Sequence, residues 1–205
     1  TFGNNNSAFG QEALYTNTTG ISNVAIGWES AKLNTIGSYN VAVGIQSLRS
    51  NTTGINNTAI GYQALNTNTG ANNTAVGFQA GYSNITNAGC VFFGYRAGYS
   101  NSTGTQNTFL GLQAGYQANG DNNIAIGFRA LAYAAALTGS GNVSVGDFSQ
   151  YYSQSTASGN TSVGYAALQN NTTTSQSTAV GFQAGYYVIG ANNDAFGYQA
   201  LEGGN

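Results

Sequence analysis

Glu12 and Glu29 are the residues of this 205-residue chain whose type and spacing could do chemistry. Each follows a glycine, Gly10 or Gly27, by two positions, and those glycines are 17 residues apart. If the glycines mark equivalent points of stacked coils, the two carboxylates lie roughly 5 Å apart, the separation of a retaining glycosidase pair. The simpler reading is two solvated acids in a column otherwise dominated by Gln (Gln46, Gln63, Gln79, Gln113). A glycosidase also needs a cleft, and nothing in the sequence supplies one. Asp121, Asp147, Asp194 and Glu202 are scattered. The chain has no His, so Ser-His-Asp and Cys-His arrangements are excluded. Cys90 is the single cysteine, so no internal disulfide and no Cys-based metal site can form. No P-loop, zinc or calcium-loop pattern occurs. The expectation is a non-catalytic chain without cofactor or metal.

Two further sets of residues are candidates for contact or modification. Asn17, Asn51, Asn84, Asn101 and Asn171 each begin an Asn-x-Ser/Thr sequon, and a glycan there would be confined to the exterior. The plainer account is turn chemistry, which favours Asn, Thr and Gly in any case. Tyr133, Tyr151 and Tyr152 lie where the chain is least regular, and they are expected to form a contact loop for a receptor, a sugar or a sister fibre. The Ala-rich run 130–137 in the same region could form a helical turn.

What positions these residues is a repeat. A glycine recurs at Gly10, Gly27, Gly44, Gly61, Gly77, Gly94, Gly111, Gly127, Gly146, Gly164, Gly181 and Gly197, at intervals of 16 to 19 residues. The residue before it is always apolar (Ile26, Val43, Ile60, Val76), and a small residue, usually Ala, precedes that. Val, Ile or Thr commonly stands three before the glycine. This is the period-2 alternation of a strand. An aromatic commonly follows the glycine (Trp28, Tyr62, Phe78, Tyr95, Phe128), and a Gly- and Asn-rich turn closes the unit. A period near 17 is too short for a propeller blade or helical repeat, and it suits coils of two or three short strands, each covering the next. The fold class expected is all-β, a parallel β-solenoid or β-roll of about twelve coils, as a single domain over 1–205. The apolar column before the glycine is expected to face the core, and the Thr/Val column with it. The aromatic column is expected in the core or against a partner chain, with a carbohydrate platform as the rival reading.

Four before the glycine stands Asn in ten copies: Asn6, Asn23, Asn40, Asn57, Asn73, Asn107, Asn123, Asn142, Asn160 and Asn193. Stacked, this column is expected to be a structural Asn ladder, with Cys90 as a tolerated small substitute. Only 5% of residues are charged and the net charge is −2. No basic patch exists to neutralise phosphates, which argues against nucleic acid as a partner. No apolar run is long enough for a transmembrane helix, so no membrane insertion by this segment is expected.

Segments such as Ser22-Asn23-Val24-Ala25-Ile26-Gly27 and Asn122-Asn123-Ile124-Ala125-Ile126-Gly127 resemble the head repeats of trimeric autotransporter adhesins. The variant Asn72-Asn73-Thr74-Ala75-Val76-Gly77-Phe78-Gln79-Ala80 is similar to repeats of phage and bacterial tail-fibre-type proteins. The resemblance covers nearly the whole chain. It implies a left-handed roll, three chains side by side, and exposure on a cell or virion surface. The expected function is therefore a non-catalytic structural component of an extracellular fibre, the shaft or head of a surface adhesin. Self-association into a trimer or an end-to-end filament goes with it, since the terminal residues keep the repeat's rhythm and suggest a segment of a longer array. Cell-surface glycans or a receptor are the expected outside partners. The rival readings are an ice- or glycan-surface-binding solenoid and a fibre-borne polysaccharide depolymerase.

Overall fold

The computed structural model describes residues 3–132, 138–152, 156–170, 175–188 and 190–202. Tyr133 and Asn171 lie outside these residues. The chain is all-β and forms two compact units, Thr1–Thr103 and Gly104–Asn205. The first carries strands β1 (Ser7–Phe9), β2 (Val24–Ile26), β3 (Val41–Val43), β4 (Thr58–Ile60), β5 (Thr74–Val76) and β6 (Val91–Phe93). The second carries β7 (Thr108–Leu110), β8 (Ile124–Ile126), β9 (Val143–Val145), β10 (Thr161–Val163), β11 (Thr178–Val180) and β12 (Asp194–Phe196). Within each unit every strand pairs in parallel with the next, position for position, as in Val24↔Val41, Ala25↔Ala42 and Ile26↔Val43. Each unit is thus a parallel β-solenoid, one coil per repeat.

A coil holds one three-residue strand rather than two or three. The rest of it is turn, yet it still bonds to its neighbours. Glu29 N–H donates back to Gln11 O at 2.9 Å, while Ala31 N–H donates forward to Ser47 O at 2.9 Å. Both residues have left-handed φ, Glu29 at +54° and Ala31 at +47°. Left-handed φ is uncommon outside glycine. Here it recurs at equivalent places, as in Gln46, Leu48, Gln63 and Leu65. Inter-coil hydrogen bonds offset the conformational cost.

The two conspicuous glycine columns have different causes. Gly61 sits at φ +134°, with the carbonyl of Gly77 in the next coil occupying the place a Cβ would take. Gly54, which closes a turn, has no left-handed φ. A Cβ there would collide with Gly70 O and Asn51 Oδ1, so close packing alone requires glycine.

The core is narrow and built mainly from Ala and Leu. Ala25, Ala42, Ala59 and Ala75, the strand centres, are buried, as are Leu48, Leu65, Leu131 and Leu168. This corrects the expected strand phase. The column before the glycine faces out, with Ile26 42%, Ile60 40% and Phe93 57% exposed. Thr58 and Thr74 lie two residues away on the same outward side, half-buried. Alternation puts the centre of a three-residue strand opposite its ends. The opposing wall is close enough that the centre is usually Ala.

Where the strand centre is large, the wall gives way. Phe92 and Phe109 replace Ala at the centre and are fully buried. A Cβ added at Gly81 or Gly98 would strike the Phe92 ring, and one at Gly115 would strike Phe109. Those glycines occupy the column that holds Leu48 and Leu65 in earlier coils. Ala opposite Leu is exchanged for Phe opposite Gly, conserving core volume. Of the Ala-rich run, Ala130, Leu131 and Ala132 are turn and coil, not helix.

Candidate functional site

The expected Asn ladder is present, and its bonding is more specific than amide on amide. Asn40 N–H donates to Asn23 Oδ1 at 3.0 Å, and Asn57 N–H to Asn40 Oδ1 at 2.9 Å. Each Nδ2 also reaches a turn carbonyl of the following coil, Asn23 to Gly37 O, Asn40 to Gly54 O and Asn57 to Gly70 O, all 2.8 Å, while Asn23 and Asn40 Nδ2 donate besides to the Oδ1 of the preceding rung at 3.2 Å. One side chain thereby ties a strand entry to a turn exit. The second unit repeats this with Asn107, Asn123, Asn142 and Asn160, and Asn123 N–H donates to Asn107 Oδ1 at 2.8 Å. Asn6 begins the first column and accepts from Asn23 N–H at 2.9 Å, while Asn193 N–H donates to Ser177 Oγ at 3.2 Å. Cys90 is a buried rung whose N–H donates to Asn73 Oδ1 at 3.0 Å.

A second ladder was hidden among the sequons. Asn34 Nδ2 donates to Asn17 Oδ1 at 2.8 Å, and Asn51 Nδ2 to Asn34 Oδ1 at 3.0 Å. Asn51, Asn84 and Asn101 are fully buried, and Asn17 is half-buried. The glycosylation reading is corrected accordingly: a folded coil offers no accessible amide at Asn51, Asn84 or Asn101. The signal that could have shown this was Asn34 and Asn68, which share the column without being sequons.

The acidic pair is an ion-pair network. Lys32 Nζ stands between Glu12 Oε2 at 2.6 Å and Glu29 Oε1 at 2.7 Å. Arg49 Nε lies 2.8 Å from Glu29 Oε2, to which Gln46 Nε2 also donates at 2.9 Å. The hydrogen bond from Lys32, followed by those from Arg49 and Gln46, holds the Glu29 carboxyl down at about 2. Lys32 is raised in turn, chiefly by its hydrogen bond to Glu12. A retaining glycosidase needs a carboxyl that keeps its proton until the leaving oxygen takes it. Glu29 is arranged to do the reverse.

From Glu29 a single polarised row runs through the unit. Gln63 Nε2 donates to Gln46 Oε1 and Gln79 Nε2 to Gln63 Oε1, both at 2.8 Å. Arg96 Nε closes the row on Gln79 Oε1 at 2.9 Å. Every amide points the same way. The donor end meets a carboxylate and the acceptor end a guanidinium, so both terminal groups are satisfied by charge-assisted bonds.

Beside this row the aromatic column is exposed, so of its two expected places, the core or a contact with a partner chain, the core is ruled out for Tyr62, Phe78 and Tyr95. Tyr62, Phe78 and Tyr95 are 41%, 40% and 43% exposed. Their rings stack with centroids 5.1 and 5.3 Å apart. Tyr82 and Tyr99 also stack, at 5.2 Å, and the Arg96 guanidinium lies over Tyr99 as well as over Tyr95 and Phe78. The second unit repeats the theme with Tyr165, Phe182 and Tyr198, centroids 5.2 and 5.3 Å apart, beside Gln199 bonded to Gln183 at 3.1 Å. Of the expected contact loop, Tyr151 is buried and meets Phe148 edge-on, while Tyr152 is exposed. The Asp147-Phe148 inversion serves packing: Phe148 contacts both Phe128 and Tyr165, so it keeps the aromatic column continuous.

Among the described residues no group of three or more His, Cys, Asp or Glu side chains could hold a metal ion, and no helix is long and apolar enough to cross a membrane. The described surface therefore offers an apolar strand face, an aromatic and amide face, and one neutralised charge cluster. No protein-family model matches the chain, and searches of curated proteins and of solved structures give no match either.

Proposed function

We propose that this chain is a non-catalytic structural segment of an extracellular fibre, associating with further copies of itself through its strand face. The observation that supports this is the outward apolar column. In the first unit Phe9, Ile26, Ile60, Val91 and Phe93 are exposed, and Val24, Val41, Val43 and Val76 are half-buried between them. The second unit exposes Ile124, Ile126, Val163, Val180 and Phe196 along the equivalent columns. Each unit thus presents a row of outward apolar side chains, the kind of exposed surface that marks an interaction site. A second copy is the occupant that fits, because a surface with a fixed axial period is best matched by another with the same period. The resemblance to adhesin heads favours a left-handed roll in a trimer at a cell or virion surface.

A second reading draws on the outward Thr positions (Thr58, Thr74, Thr161, Thr178), which an ice- or crystal-binding face would use. The Phe side chains at positions 9, 93 and 196 of the neighbouring column break the flatness such a face needs. The fibre reading is preferred for that reason. Electron microscopy of the purified chain tests it. Trimers or filaments with the coil axis along the fibre are expected, whereas isolated particles combined with clear thermal hysteresis would overturn it in favour of the second reading.

A further inference from the structure

We infer that the aromatic and amide face is a binding surface for an extended, uncharged β-1,4-linked polysaccharide lying along the coil axis. The face is distinct from the strand face, so this does not depend on how copies of the chain associate.

The first argument is composition. In the coils after β4, β5 and β6 the stacked rings of Tyr62, Phe78 and Tyr95 lie beside Gln63, Gln79 and Arg96, whose guanidinium sits over Phe78, Tyr95 and Tyr99, and Tyr62 and Phe78 are 41% and 40% exposed. Apolar ring surface flanking a few fixed hydrogen-bonding groups is the usual make-up of a small-molecule site, here drawn out into a line. Gln63 spends one amide hydrogen on the ladder, and its half-buried amide keeps a second hydrogen for a ligand hydroxyl. Because the rings stack on one another, they meet a ligand as a continuous apolar ridge rather than as separate platforms.

The second argument is period. The rings recur every 5.1–5.3 Å. An extended β-1,4-linked chain advances by nearly the same distance per sugar, so each sugar would meet an equivalent ring and amide, with alternate sugars presenting opposite faces because successive sugars are flipped. Three coils at about 4.8 Å each would hold about three sugars.

The third argument is recurrence. In the coils after β1 to β3 the ring column holds Gln11, Trp28 and Ile45, so no continuous row of rings forms there, and Lys32 and Arg49 are ion-paired to Glu12 and Glu29. The ring-and-amide arrangement returns in the second unit, with Phe182 between Tyr165 and Tyr198 and with Gln183 bonded to Gln199. Core packing does not require these exposed rings, since Gln11 and Ile45 fill the same column elsewhere. Two separate surfaces of one design point to one ligand class.

The test uses the whole chain with cellohexaose and chitohexaose in titration calorimetry, and with insoluble cellulose and chitin in sedimentation assays. Saturable binding to at least one of the two is expected, at two sites per chain, and the two arms identify which glycan is preferred. Tyr62→Ala with Phe78→Ala should reduce the count to one site, and adding Phe182→Ala should lower the remaining affinity at least tenfold. Gln79→Leu, which keeps the side-chain bulk, should weaken the first site while the chain stays folded. Absence of binding to either glycan overturns the proposal, as does binding that the four substitutions leave unchanged. If the ring substitutions change the size of the assembly while binding is untouched, the face belongs to a contact between copies, and the proposal is likewise refuted.

Discussion

The exchange of Ala opposite Leu for Phe opposite Gly makes a quantitative claim about the core. Phe92 is fully buried between Gly81 and Gly98. Phe92→Ala removes a whole ring from a narrow core, and about 3–5 kcal/mol should be lost through transfer and cavity terms. Gly98→Leu alone forces a side chain into the Phe92 ring, and overpacking of that kind costs about 1–3 kcal/mol. A left-handed residue other than glycine adds roughly 1–2 kcal/mol, since Gly98 lies at φ +60°. Leu65 occupies the same column at φ +48°, so the fold accepts Leu there once space exists. The double variant Phe92→Ala/Gly98→Leu should refill the void and lose only about 1–3 kcal/mol, most of it the backbone cost. The two changes should therefore couple favourably by at least ~2 kcal/mol, read from urea midpoints of the wild type and three variants at constant slope. Losses that add within about 0.5 kcal/mol would show that the ring and the glycine do not share one volume, and would refute the core described here.

Other outcomes follow from single positions. Gln150 is fully buried where Leu stands in neighbouring coils, and neither of its side-chain polar atoms has a hydrogen-bond partner, so Gln150→Leu should raise stability by about 1–3 kcal/mol in urea melts. Glu29 has a folded-state value of about 2 against an ordinary 4.5, so its contribution is complete above the unfolded value and is lost as pH falls from about 4.5 through about 2. Melting temperatures of wild type and Glu29→Gln should therefore converge on acidification across that window and stay separated by a constant amount from pH 5 to 8. Gly54→Val should destabilise its coil by several kcal/mol, because a Cβ there meets backbone and a ladder amide rather than a flexible side chain; a midpoint unchanged from wild type would contradict the close coil contact.

The architecture was legible because it is written in spacing. The invariant glycine set the coil length, the three residues before it proved to be the strand in all twelve repeats, and the Asn column proved to be a buried ladder. The phase of the strand was not legible. In Val41-Ala42-Val43 the apolar residues are the conspicuous ones, and the ordinary rule puts them inside. Here the opposing wall is so near that Ala42 fills the interior and the valines are left for the outer face. The second Asn ladder was masked by Thr and Ser two residues after several of its rungs, which made turn rungs read as sequons. The charge-capped Gln row needed coordinates, since nothing in the sequence states that Arg96 bonds to Gln79 and Gln46 to Glu29. The glutamate pair was placed in adjacent coils correctly, but its partners Lys32 and Arg49 stand in a column that later holds Asn66, Tyr82 and Tyr99, so their pairing with the acids was not read from the sequence.

The central claim is that the outward strand columns are covered by another copy of the chain. Sedimentation equilibrium at micromolar concentration tests it most directly, comparing the wild type with Ile60→Asp/Val76→Asp, whose substituted side chains face out and leave the Ala core intact. The wild type is expected at a multiple of 21.0 kDa, and the variant as a folded monomer with an unchanged circular dichroism spectrum. A wild type that sediments as a single 21.0 kDa species, or a variant that unfolds because those positions are interior, would contradict the account.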